Sequence, residues 1–135
     1  MESTSFPNKV LSFFGFNLRL YLHPLHFVNE LISLCKKRDK GWICYLNADT
    51  FNRACSDPDF HEILDQAKIL YADGMSILYG ARLFLKADAG VRVTAADFLE
   101  EFFFICEKEQ IRIFFLGGSA QTCQFFQQTL GQRHP

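Results

Sequence analysis

The chain has almost no net charge. Fourteen Lys and Arg stand against fifteen Asp and Glu, a formal net charge of −1, so the charge balance gives no argument for nucleic acid or an anionic membrane as partner. Long apolar runs are also missing, and no stretch reaches the ~18 residues that a spanning helix needs. The N-terminus carries Glu2 and lacks a basic cluster ahead of an apolar run, so it does not read as a signal peptide. The five cysteines form no C-x-x-C pair. Their odd number and their places inside apolar patterns predict reduced, mostly buried thiols and a cytoplasmic protein. The four histidines, His23, His26, His61 and His134, show no metal-ligand spacing with Cys or carboxylates, and no metal is assigned. There is no full G-x-G-x-x-G, no Gly-Lys-Ser/Thr of a P-loop and no G-x-S-x-G elbow.

What remains is an ordinary globular composition, 49% hydrophobic and 21% charged over 135 residues, with sixteen Phe. That is room for one domain with a real core, and each Phe can bury a large apolar area. A single domain is expected over 1–135, with a loose start over 1–12. Phe13 to Leu22 fits a first strand or a hairpin, and Leu25 to Arg38 a helix whose Val28, Leu31, Ile32 and Cys35 share one face. Trp42 to Leu46 reads as a short strand. Asp57 before Pro58 signals a helix start. A strand to Ala72, a helix from Met75 to about Leu85 and a helix over Ala95 to Gln110 follow. Ile111 to Leu116 is the strongest strand pattern, and Ala120 to Leu130 a last helix. Strands alternating with helices argue for a parallel sheet.

The organising stretch is Lys68 to Ile77. An apolar strand delivers one carboxylate, Asp73, to the carboxyl edge of the sheet, where ligands bind in such folds. Gly74 then permits a tight turn into a helix. A plainer alternative makes Asp73 the cap of that helix. Asn47 ends another strand, and Gly117-Gly118-Ser119 joins strand to helix in a geometry that can cradle an anion or simply turn tightly. If the three strands are parallel, Asn47, Asp73 and Gly117-Gly118 converge on one edge.

The blocks Leu46-Asn47-Ala48-Asp49, Tyr71-Ala72-Asp73-Gly74-Met75-Ser76, Ala81-Arg82-Leu83, Arg92-Val93-Thr94-Ala95-Ala96-Asp97 and Phe115-Leu116-Gly117-Gly118 resemble, in order and spacing, the WecG/TagA/CpsF glycosyltransferases. The resemblance covers Phe14 to Pro135. It implies an α/β, Rossmann-like three-layer domain with a mostly parallel sheet, here an incomplete one corresponding to the N-terminal half of the family domain. It implies an inverting hexosyltransferase that moves an N-acetylmannosamine-type sugar from a UDP-sugar donor to an undecaprenyl-diphosphate-linked N-acetylglucosamine acceptor, in cell-surface polysaccharide biosynthesis, without metal or other cofactor. By position, Asp73 resembles the general base, Asn47 and Thr94 line the sugar pocket, and Arg92 faces the diphosphate. Gly74, Asp97, Gly117 and Gly118 join the substrate-binding set by the same match. The family often has Thr where this chain has Tyr45, and an acidic residue where it has Val91. The expected setting is the cytoplasm or the inner face of the cell membrane. The shortness predicts self-association or a complementing chain as partner, and leaves a nucleotide-sugar-binding or interaction fragment without turnover as the alternative.

Overall fold

The chain opens, within the described residues, on a hairpin. The computed structural model describes residues 9–134; residues 1–8, where a loose start was expected, lie outside them. The rest of that stretch is ordered by pairing, because β1 (Lys9–Phe13) lies antiparallel to β2 (Phe16–Leu20). The two-residue turn between them has Phe14 at φ 47 and Gly15 at φ 91, the doubly left-handed turn that suits the twist of a tight hairpin. Phe14 is an unusual residue for that conformation. Its ring is held edge-on by Phe13, Phe51 and Phe84, with centroids 4.9, 6.0 and 6.0 Å away.

Two further strands, β3 (Ile43–Leu46) and β4 (Ile69–Ala72), complete a sheet in the order β1-β2-β4-β3. β4 runs parallel to both β2 and β3. Around them the described residues hold α1 (Pro24–Lys37), α2 (Ala48–Ser56), α3 (Pro58–Asp65), α4 (Met75–Leu85), α5 (Ala95–Lys108) and α6 (Ala120–Arg133). The architecture is therefore α/β with a mostly parallel open sheet, consistent with a Rossmann-like fold.

Strand alternation sorts the sheet into two faces. Phe16, Leu18 and Leu20 of β2, Leu46 of β3, and Leu70 and Ala72 of β4 form one cluster with Ala54 of α2, Leu64 of α3, and Ile77, Leu78 and Ala81 of α4. On the other face α1 buries Phe27, whose ring lies 4.6 Å from Tyr71, 5.4 Å from Tyr21 and 4.9 Å from Phe98. The Tyr21 hydroxyl donates to Glu30 at 2.7 Å, and Arg19 pairs with the same carboxylate at 3.6 Å. Burial, then that hydrogen bond, push the Tyr21 hydroxyl to a raised pKa.

Local signals account for most helix ends. Asp57 accepts from the Phe60 amide at 3.0 Å, with Pro58 in the first turn of α3. The basic pair Lys36 and Lys37 closes α1 at the negative end of its dipole. α2, which the apolar pattern did not mark, starts at a reciprocal cap: Asn47 Oδ1 accepts from the Thr50 amide at 2.9 Å, and Thr50 Oγ1 from the Asn47 amide at 2.8 Å.

The fold divides into two compact units, one ending at Phe98 and one beginning at Leu99. The second unit corrects the reading of 111–116. The segment joins no ladder among the described residues. Alternation and β-branching favour a strand, but a strand exists only where a neighbour takes up its backbone groups. Here Phe115 packs edge-on against Phe126 at 4.8 Å, while Phe114 and Leu116 are 87% and 93% exposed. α6 buries none of its side chains. The cysteines also depart from expectation: only Cys106 is buried, Cys44 is half-buried, and Cys35, Cys55 and Cys123 are exposed. Cys35 faces outward in the last turn of α1, and Cys123 lies on the uncovered α6.

Candidate active site at the carboxyl edge of the sheet

The parallel register that sets Leu46 beside Ala72 also sets the next residues, Asn47 and Asp73, side by side where the strands end. The Asp73 amide continues the ladder by donating to the Leu46 carbonyl at 3.0 Å. Two of the expected site residues are thus brought together by strand pairing alone.

Asp73 is half-buried, and its carboxylate makes no hydrogen bond or ion pair among the described residues. It is not the cap of α4. That position belongs to Gly74, at φ 89 and ψ 160, with no side-chain cap bond. Such backbone angles are occupied readily only by glycine. A Cβ on Gly74 would meet nothing within 4 Å, so conformation rather than crowding calls for glycine there. The ring before Asp73 feels it: burial first, then the nearby Asp73 charge and Tyr45, push the Tyr71 hydroxyl up to about 12.

A third segment reaches the same strand end. The Val93 amide donates to the Ala72 carbonyl at 3.4 Å, which brings Arg92, Thr94 and Asp97 toward it. These three form one cluster. Arg92 Nη2 donates to Asp97 Oδ1 at 3.2 Å, and the Thr94 amide and hydroxyl donate to Asp97 Oδ2 at 3.2 and 3.1 Å. Burial alone would raise the Asp97 pKa, but Arg92 and Thr94 outweigh it and hold the carboxyl below its usual range. Asp97 is therefore engaged at the start of α5, where it orients Arg92. The Arg92 side chain keeps 46% of its surface exposed.

Upstream, the loop is fixed by Gly90. The Val91 amide donates to the Tyr21 carbonyl at 2.9 Å, and Arg82 Nη2 donates to the Gly90 carbonyl at 3.3 Å. The sequence pattern marked 87–90 as a loop without showing how closely its backbone approaches β2.

Gly117 and Gly118 belong to the second unit, with φ 123 and 79. Ser119 caps α6 by accepting from the Thr122 amide at 3.2 Å, and the Cys123 thiol donates to the Gly117 carbonyl at 2.9 Å. The turn into a helix is present. The pairing that was to carry it to the edge shared by Asn47 and Asp73 is not, because 111–116 joins no ladder among the described residues.

Tyr45, marked in the sequence as a departure from the family pattern at the pocket but given no role there, stands two residues before Asn47. It pairs in register with Tyr71 and remains 45% exposed, although alternation along so short a strand gives no sign of which face stays open. Among the described residues no cluster of His, Cys, Asp and Glu is arranged to hold a metal ion, and no helix is long and apolar enough to cross a membrane.

An acid without a hydrogen-bond or ion-pair partner among the described residues, at the carboxyl end of a central parallel strand, is equipped to accept a proton from a ligand. The class of protein is that of the glycosyltransferases. Residues 12–135 match the family described as Glycosyl transferase WecG/TagA/CpsF family, and the chain belongs to that family.

Proposed function

We propose that the chain carries the site of an inverting hexosaminyl transfer, from a UDP-sugar to an undecaprenyl-diphosphate-linked N-acetylglucosamine, in cell-surface polysaccharide synthesis at the cytoplasmic side of the membrane. The transferred sugar is of the N-acetylmannosamine type. The observation that carries this reading is Asp73, a half-buried carboxylate with no hydrogen-bond or ion-pair partner among the described residues, displaced from the capping role by Gly74.

In the step proposed, Asp73 takes the proton of the acceptor hydroxyl. The freed electron pair forms the new bond to the anomeric carbon, from the face opposite UDP. The bond from that carbon to the diphosphate oxygen breaks, UDP leaves with its electrons, and the configuration inverts. Arg92, aimed by Asp97, places fixed positive charge where the leaving oxygen becomes more negative. Asn47 and Thr94 border the sugar. Gly74 supplies the φ 89, ψ 160 turn that leaves Asp73 out of the helix cap.

Exposed Phe104, Phe114, Leu116 and Phe125 in the second unit support self-association or a complementing chain as a condition of turnover. The test is UDP release from UDP-N-acetylmannosamine with a lipid-linked N-acetylglucosamine acceptor, comparing wild type with Asp73→Asn. Loss of turnover by ~10²–10⁴ at unchanged melting temperature is expected. Equal rates in the two proteins would refute the role of Asp73.

A further inference from the structure

The proposed transfer leaves one conspicuous side chain at the edge unused. Tyr45 sits on β3, at one end of the order β1-β2-β4-β3 among the described residues, and the residue stays 45% exposed. It contributes nothing to the buried cluster of the opposite face. The hydroxyl makes no hydrogen bond among the described residues.

Its position is nevertheless fixed. The ring stands edge-to-face against Tyr71, with centroids 6.4 Å apart and planes at 61°. Tyr71 is in turn held by the buried Phe27 at 4.6 Å. Asp73 follows Tyr71 by two residues, so strand alternation continues the row of Tyr71 into Asp73. Tyr45 pairs with Tyr71, so Asp73 lies one strand across (~4.8 Å) and two residues along (~6.6 Å), roughly 8 Å away between backbones on the same sheet face. An exposed aromatic face, backed by a second ring and set beside a proton acceptor, matches the apolar C–H face of a pyranose, because ring π-faces attract the positive edges of C–H bonds. A nucleobase also stacks on such a face, but a diphosphate separates it from the reacting carbon.

Resting on the glycosyl-transfer reading for the role of Asp73, we propose that Tyr45 is a pyranose platform. Its ring seats one of the two sugars that meet at Asp73 and thereby sets which hexosamine the site accepts. It is a specificity residue rather than a catalytic one.

The test uses the full chain as wild type, Tyr45→Phe, Tyr45→Leu and Asp73→Asn. Saturation-transfer NMR with free N-acetylmannosamine and free N-acetylglucosamine reads ring-face binding without turnover. The signal on one sugar's C–H protons should persist in Tyr45→Phe and Asp73→Asn and fall at least ~5-fold in Tyr45→Leu, which keeps bulk but has no π-face. In the transfer assay, Tyr45→Leu should raise one KM by about tenfold with kcat nearly unchanged, and Tyr45→Phe should restore it. A rise in the donor KM assigns the platform to the transferred sugar, and a rise in the acceptor KM to the receiving one. Absence of saturation transfer from wild type to either sugar overturns the platform, as do unchanged signals and KM values in Tyr45→Leu. If ring-dependent saturation transfer is found while Asp73→Asn turns over like wild type, the platform stands and the transfer reading through Asp73 falls.

Discussion

Replacing Gly90 by Ala should destabilise the first unit more than any other single methyl addition at its glycines. The new Cβ would lie 2.2 Å from the Tyr21 carbonyl oxygen and 3.1 Å from its carbon. No rotamer relieves this, because both partners are backbone. That oxygen accepts the Val91 amide at 2.9 Å, so the loop cannot back away without breaking the bond. Gly90 also has φ +69, where a side chain costs about 1 kcal/mol. Relief of the overlap adds ~1–3 kcal/mol, and the lost hydrogen bond ~1 kcal/mol. The sum is about 3–5 kcal/mol. At ~4 °C per kcal/mol for a chain of this size, Tm should fall by about 12–20 °C. Circular dichroism melts measure it. Gly131→Ala is the opposite control: it lies in α6 with nothing within 4 Å of its Cβ, and should stabilise by about 0.5 kcal/mol. A Gly90→Ala protein that melts within 2–3 °C of wild type would refute the close approach of 87–94 to β2, and with it the route by which Arg92 reaches the strand end.

Thr50→Ala removes one arm of the cap on α2 and should cost about 1 kcal/mol, seen as a small fall in urea midpoint. The Asp97 carboxyl is held below its usual range, so its contribution to stability is complete above about pH 4, the unfolded value, and is lost as pH falls through the lower folded value. Asp97→Asn should therefore flatten the acid limb of a stability–pH curve between those values, and an unaltered limb would show that Arg92 and Thr94 do not act on it. Asp73→Asn should leave melting in place while removing UDP release, in contrast to both.

The sequence shows its local devices well and its distant ones poorly. Asp57-Pro58, the apolar runs ending at Leu46 and Ala72, and the start of the helix at Met75 are each decided within a few residues, and each forms. Asn47 beside Asp73 follows from parallel pairing of two legible strands. α2 was hidden because it is short and buries only Ala54 fully; its signal was Asn47 with Thr50 three residues on, a cap pattern rather than an apolar one. The segment 111–116 shows the reverse case. Its composition asks for a sheet, but pairing depends on a neighbour that no local pattern reports. Whether Asp73 caps α4 likewise hung on the backbone of Gly74, whose φ and ψ hand the capping position to the glycine and leave the acid unengaged.

The cap on α2 has a consequence for molecular recognition. A primary amide is ambivalent, able to greet either an acceptor or a donor. Asn47 has lost that choice, since its oxygen is occupied by the Thr50 amide and hydroxyl. Only its NH₂ group is left to face outward, so the side chain can present hydrogens and nothing else. Any group it meets at the strand end must bring lone pairs, such as a sugar hydroxyl oxygen or an acetamido carbonyl. Aspartate in its place would keep the helix start and turn that greeting into repulsion. The polarity of this corner is thus set by how the helix begins, before any ligand arrives.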